Sequence, residues 1–291
     1  MSDATLRMPA PFDGASEGVL ADLWLPMPSA RFAPCDGVSC RRQDSTQNVL
    51  VLRSGPSTTE SAETLAWRRW LLGHHASFVV WRLICRALSE STGHGGCDPD
   101  TSSAVHRKIT ATAELFDVYS ALLLYSGSCT TQVYADVIRP RMIACHPAFS
   151  GTWSRDYEKV RELLQPPLPE CEPGARLKRA VRFNRLVHIS VAKRLVPEGN
   201  SLLRDAGRVG SPPENDEREL FDAFFRTRRA GICVHEFVDQ LIVRTELILA
   251  DLAAYPIFTR YGRDDLDRFQ GGLRDHFDRL ADIACELLTK G

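Results

Sequence analysis

The sequence predicts a mainly α-helical bundle with an irregular N-terminal arm. Apolar residues recur at spacings of three and four through most of the chain after residue 60. No alternation of strand and helix patterns, of the kind that builds a parallel sheet, is visible. Pro, Ser, Gly and Asp crowd residues 1–60, where few apolar positions are periodic. The chain therefore divides into an arm over 1–60 and a helical domain over 61–291.

Within the arm only Val49–Arg53 (VLVLR) reads as a short strand. From Ala62 to Glu90 a long helix is expected, with Leu65, Trp67, Trp70, Phe78 and Trp81 on a broad apolar surface. The Gly-rich stretch from Ser91 to Pro99 breaks it. A second helix fits Ala104–Tyr125, and a polar turn over Ser126–Thr131 leads to a third over Gln132–Ile138, ended or kinked by Pro140. Ser154 caps a fourth helix reaching Gln165, and prolines 166, 167, 169 and 173 with Gly174 make a rigid connection. The fifth helix runs Ala175–Val196 and stops at Pro197, before a Gly-rich loop. A sixth spans about 215–255 with an interruption near Gly231, and the last spans Asp264–Leu288.

Composition bounds the function classes. With 36 basic and 37 acidic side chains the net charge is −1, too balanced for general nucleic-acid binding. No apolar run is long enough for a membrane span, and the first residues lack the apolar core of a signal peptide, so a cytoplasmic protein is expected. Nine irregularly spaced cysteines read as reduced thiols. Dinucleotide, P-loop, zinc-protease and nucleophile-elbow motifs do not occur, nor does Cys-x-x-Cys or Cys-x-x-Cys-His. Any haem is expected to be non-covalent. Oligomeric state is left open, a homo-oligomer included.

Chemistry then rests on the eight histidines. His188 shares a helical face with Val181, Val191, Ala192 and Leu195. It reads either as a core histidine or as an axial iron ligand. In the second case Arg182, Arg185 and Arg194 are suited to haem propionates. His74 and His75 are adjacent, about 100° apart on the wheel, so one can face a pocket while the other does not. Gly73 beside them points to close packing, by another helix or by a flat cofactor. His235 is the second choice for the axial ligand, and His146 precedes a Pro-led loop.

The order of an early pocket histidine, the Ser126–Gln132 turn, His188, Arg194 and the Gly199-Asn-Ser loop resembles the tryptophan 2,3-dioxygenase superfamily of histidine-ligated haem proteins. Where those dioxygenases carry an Arg before the turn, this chain has Ala121-Leu-Leu-Leu124, so the substrate's carboxylate must be held differently. Over most of residues 60–290 the wording is closer to the haem-dependent L-tyrosine 3-hydroxylases of antibiotic biosynthesis, a resemblance carried by the segment from Tyr119-Ser-Ala-Leu122 to His146-Pro-Ala-Phe-Ser-Gly-Thr-Trp153. That resemblance implies a tryptophan 2,3-dioxygenase-like bundle and haem b held by His188. It further implies hydrogen peroxide as oxidant and L-tyrosine converted to L-DOPA. His75 or His74 then moves protons. Ser126, Thr130, Gln132 and Arg139 are candidates for the amino acid's polar groups, and His146 and Trp153 for walls. The alternatives are a tryptophan or indole oxygenase on the same fold, a non-catalytic haem-binding protein, and, third, a copper phenol oxidase.

Overall fold

A computed structural model describes residues 20–35, 60–92, 99–197, 199 and 201–289. Val49–Arg53, His94, Cys40, Cys97 and Asn200 lie outside the described residues. The fold is mainly helical. In chain order it comprises β1 (Leu23–Leu25), α1 (Ala62–Thr92) and α2 (Pro99–Ser126). A single turn (Thr131–Val133), a π-helical segment (Tyr134–Ile138) and α3 (Arg139–Cys145) follow. Then come α4 (Arg155–Leu163), α5 (Glu172–Leu195), α6 (Leu202–Asp205), α7 (Asn215–Phe224) and β2 (Thr227–Arg229). The chain closes with α8 (Val234–Ala254), α9 (Asp264–Gly271), α10 (Leu273–Asp278) and α11 (Leu280–Thr289). None of the described helices is long and apolar enough to cross a membrane.

The central helix is α1, which is buried nearly all round from Leu72 to Leu88, with Phe78, Val79, Val80 and Ile84 fully enclosed. A helix apolar on every face belongs in a core, and α1 has α2 on one side and α4 and α8 on others. The helix α5 buries Leu177, Ala180, Val187, Val191 and Leu195. Its one polar core residue, Asn184, donates to Ser120 Oγ of α2 at 3.1 Å. Gly73 is the point of closest approach between α1 and the end of α2. A Cβ there would come 2.8 Å from Ser126 Cβ and 3.3 Å from the Tyr125 ring. Helix–helix contact, rather than a cofactor, thus explains the mid-helix glycine. Gly73→Ala should therefore lower stability by roughly 1–3 kcal/mol, the usual cost of overpacking, despite the better helix propensity of Ala. A thermal midpoint equal to or above the parent's would show that the two helices separate freely.

The structure corrects two sequence expectations and sharpens two others. Pro140 distorts its helix without ending it, the second of the two outcomes expected. Its missing N–H and its ring exclude ordinary i→i−4 geometry, and the preceding segment widens so that Arg139 N–H bonds Tyr134 O. Pro173 and Gly174 lie in the first turn of α5, where proline costs no hydrogen bond. The sixth helix is interrupted as expected, over a stretch that includes Gly231, because Arg226 takes a left-handed φ of 52° and Thr227–Arg229 forms a strand. That strand pairs in parallel with β1, Leu23 opposite Thr227. Leu23-Trp24-Leu25 alternates buried, exposed, buried. Gln240 of α8 clamps the Trp24 backbone, accepting from its N–H at 2.7 Å and donating to its carbonyl at 3.1 Å. The 20–35 part of the arm is thus built into the body rather than loose.

Candidate functional site

Adjacent histidines on α1 meet different fates. The His75 ring is buried at 1% exposure. Its Nε2–H donates to the Phe225 carbonyl, and its Nδ1 accepts from Arg244 Nε at 3.4 Å. Both nitrogens are committed, so the expectation that His75 moves protons is corrected. It is a structural link between α1, α8 and the α7–β2 corner. His74 is only partly buried. Its Nδ1 lies 2.7 Å from the Trp70 carbonyl. A carbonyl only accepts, so this contact fixes the proton on Nδ1 and leaves the Nε2 lone pair outward. Among the described residues Nε2 has no partner.

Aromatic rings surround His74. Phe225 stacks on it at 4.5 Å and 15°, and Trp70 lies at 4.4 Å. Trp70 Nε1–H is itself buried, with no acceptor among the described residues. Beyond Trp70 stands Tyr134, 5.8 Å away, on the π-helical segment. Burial raises the Tyr134 phenol pKa, against the opposing pull of Arg139 beside it. Arg139 also binds Asp205 at 2.9 Å. On the other side Phe225 leads through Phe149 to Trp153 (5.6 Å), whose ring meets His146 edge-on at 5.0 Å. His146 Nδ1 accepts from the Ala148 N–H at 3.0 Å. The sequence-derived candidates His74, Arg139, His146 and Trp153 therefore belong to one aromatic neighbourhood. Trp70, Tyr134 and Phe225 complete it, as does Arg141, whose guanidinium lies 4.6 Å over Trp67. Trp67, Trp70 and His74 at spacings of three and four were the visible signal; the Phe225 contribution spans α7 and had none.

Burial holds both rings neutral. It pulls the His74 pKa down to about 4 and that of His75 to about 3, with Arg244 adding to the second shift. An unfolded histidine titrates near 6.5. Both groups therefore bind more protons unfolded than folded, and stability falls as pH drops from about 6.5 towards 4. The slope is up to about 1.4 kcal/mol per pH unit for each ring. Urea unfolding at a series of pH values should show this loss. A midpoint constant from pH 7 to 5 would mean that these rings are not held neutral.

Other candidates sit elsewhere. Ser126 Oγ donates to the Leu122 carbonyl, Thr130 caps the Thr131–Val133 turn, and Gln132 binds Asp136 at 2.6 Å. Arg194 donates to the Cys129 carbonyl at 2.8 Å and to the Gly127 carbonyl, so it braces the 126–131 turn and is not free for a propionate. His188 is exposed. Burial in α5 follows 177, 180, 184, 187, 191 and 195, and position 188 falls just beyond that stripe. The expected placement inside the core is therefore corrected, although the neighbouring protein still lowers its pKa. Arg185 and Arg182, one and two turns earlier, are exposed too, with no acidic partner among the described residues.

Imidazole and guanidinium are donor types that a haem takes, but among the described residues no hydrogen bond, ring contact or cavity joins His188 to His74. His188 offers an accessible imidazole with Arg182 and Arg185 on the preceding turns, and His74 offers a nitrogen beside an indole N–H that has no acceptor among the described residues. Two open surface cavities lie elsewhere. One of about 480 Å³ is lined by Met27, Arg155, Asn215 and Arg228, and one of about 210 Å³ by Asp117, Arg176 and Phe183. Neither has a histidine in its wall.

A family model described as SfmD 3-methyl-L-tyrosine peroxygenase matches residues 28–181, just over half of the chain. The matched span contains His74, Arg139, His146 and Trp153 and ends before His188. A search of curated proteins finds no match.

Proposed function

The chain belongs to the SfmD 3-methyl-L-tyrosine peroxygenase family, and from that premise we propose that it hydroxylates the phenol ring of a tyrosine-type amino acid with hydrogen peroxide. It is an oxidoreductase of the peroxygenase kind. The observation that carries the siting is the His74 imidazole. It is neutral, its tautomer is fixed by Trp70, and its Nε2 is unclaimed within an aromatic neighbourhood.

Haem b, when bound, supplies the oxidising chemistry drawn from peroxide. In this reading His188 holds its iron, and Arg182 and Arg185 pair with its propionates. His74 Nε2 accepts a proton from peroxide or from the substrate hydroxyl and returns it later. An imidazole with a pKa of about 4 is unprotonated at neutral pH, so its nitrogen is open as an acceptor, though as a weak base. Trp70, Phe225 and Tyr134 orient a flat phenol ring by edge and face contacts. Arg139 and Arg141, at the Tyr134 and Trp67 edges, are the cations nearest to where the amino acid's carboxylate would lie, with Arg139 also paired to Asp205 and Arg141 to the Val137 carbonyl. L-Tyrosine would give L-DOPA; a ring already methylated beside the hydroxyl leaves the other ortho carbon to react.

Purified His188→Ala and His235→Ala variants, supplied with haem, test the ligand. The first should lose the Soret band and the second should keep it. Loss only in His235→Ala would overturn the assignment. Turnover with L-tyrosine, 3-methyl-L-tyrosine and L-tryptophan, each with peroxide and read by mass spectrometry, tests the substrate class. Product from tryptophan alone would replace the phenol reading by an indole one.

A further inference from the structure

We propose that Cys35, Cys233 and His235 bind one zinc-class divalent ion that clips the N-terminal segment to the first turn of α8. One nitrogen and two sulfur ligand atoms from these residues lie within 4.8 Å of one another. Neither cysteine is in a disulfide. Tetrahedral zinc, with bonds of about 2.3 Å to sulfur and about 2.0 Å to nitrogen, sets its ligand atoms roughly 3.5–3.8 Å apart. Small side-chain rotations at the exposed Cys35 and His235 close the remaining gap. Two thiolates and an imidazole select zinc over magnesium or calcium, which prefer oxygen.

The backbone that carries these ligands is fixed by contacts independent of any metal. Ala33 N–H donates to the Ile232 carbonyl at 2.8 Å, and Ala33 forms a parallel bridge with Cys233. Phe32 packs edge-on against Phe237 of α8 at 5.0 Å. Arg82 of α1 donates to the carbonyls of Pro28 and Ala30. The ligands are thus brought together from two distant parts of the sequence on a prepared frame, which lowers the ordering cost of binding.

Cys233 is also the N-cap of α8. Its Sγ accepts from the Glu236 N–H at 3.5 Å, while Glu236 Oε2 accepts from the Cys233 N–H at 3.0 Å. Capping alone favours Ser, Thr, Asp or Asn; sulfur at this position suits a metal better than a cap. A disulfide between Cys35 and Cys233 would leave His235 with no purpose in the cluster. Three protein ligands leave one coordination position for water. None of the residues assigned to the oxidative site takes part.

The test is titration of the full-length, reduced, metal-stripped protein with Co²⁺, followed by displacement with Zn²⁺. One equivalent of Co²⁺ should give thiolate-to-metal charge transfer and tetrahedral ligand-field bands. Cys35→Ser, Cys233→Ser and His235→Ala should each weaken binding by more than the ~10–100-fold that outer-shell changes cost. Cys233→Ser keeps a competent cap, so the variant is expected to fold, which circular dichroism checks. All three should retain the Soret band of the haem-supplied protein. An undiminished Co²⁺ band in the Cys35→Ser/Cys233→Ser double variant would place the metal elsewhere. No thiolate band at all, or a Cys35–Cys233 disulfide as the main form in protein alkylated at lysis, would equally overturn the proposal.

Discussion

His74→Ala is expected to lower peroxide-dependent hydroxylation by about 10²–10⁴-fold, the range for removing a positioned acid–base group, while haem content stays unchanged. The reason lies in the local geometry. Nδ1–H is tied to the Trp70 carbonyl, so the only nitrogen able to exchange a proton with bound peroxide or phenol is Nε2. Truncation removes that nitrogen without exposing a new charge. It leaves a space against Phe225 and Trp70 wide enough for an added imidazole. Free imidazole should therefore restore part of the rate, which a merely structural residue would not allow. His75→Gln should behave differently: it disturbs the bonds to Phe225 and Arg244, lowers the melting point and leaves the folded fraction active. Activity of His74→Ala within twofold of the parent removes His74 from the chemistry. Loss of the Soret band in the same variant would instead make His74 an iron ligand.

Much of this arrangement is legible in the sequence, and the unread part has physical causes. The helices α1, α2 and α5 announce themselves by periodicity, and Ser154 caps α4 as its spacing suggests. The pairing of Leu23–Leu25 with Thr227–Arg229 joins short segments far apart in the chain, and three-residue strands carry no local period. The exposure of His188 is not legible because on the wheel it falls only about 20° beyond buried Leu177 and Leu195, at the edge of the core stripe. The division of labour between His74 and His75 is invisible locally. It depends on the Phe225 carbonyl and Arg244, which arrive from α7 and α8. Arg194 shows the same limit: a cation near a candidate ligand suits a propionate, yet its guanidinium is taken up by the carbonyls of the 126–131 turn.

Asp251→Ala is expected to destabilise the fold by about 3–5 kcal/mol, the usual cost of removing one partner of a buried ion pair. Asp251 is 2% exposed on α8, and Arg69 on α1 is 6% exposed. Arg69 Nε donates to Asp251 Oδ2 at 2.7 Å, and Arg68 pairs with Oδ1 at the same distance. The Arg69 guanidinium also donates to Ser128 Oγ at 3.1 Å and to the Tyr255 carbonyl, and it lies 5.6 Å over the Tyr125 ring. Asp251 thus pairs with two cations, of which Arg68 also meets Glu60 at 2.6 Å, and ties α1, the end of α2 and the end of α8 together, one helical turn from Gly73 and His74. Without it Arg69 remains charged in a site with little water. Asp251→Asn keeps an acceptor and the shape, so its loss should be smaller than that of Asp251→Ala. Urea unfolding of the two variants measures the difference. If Asp251→Ala costs less than about 1 kcal/mol, the range of an exposed pair, Arg69 has found water or another acceptor. The α1–α8 contact is then held by apolar packing alone, and the position of His74 no longer depends on this pair.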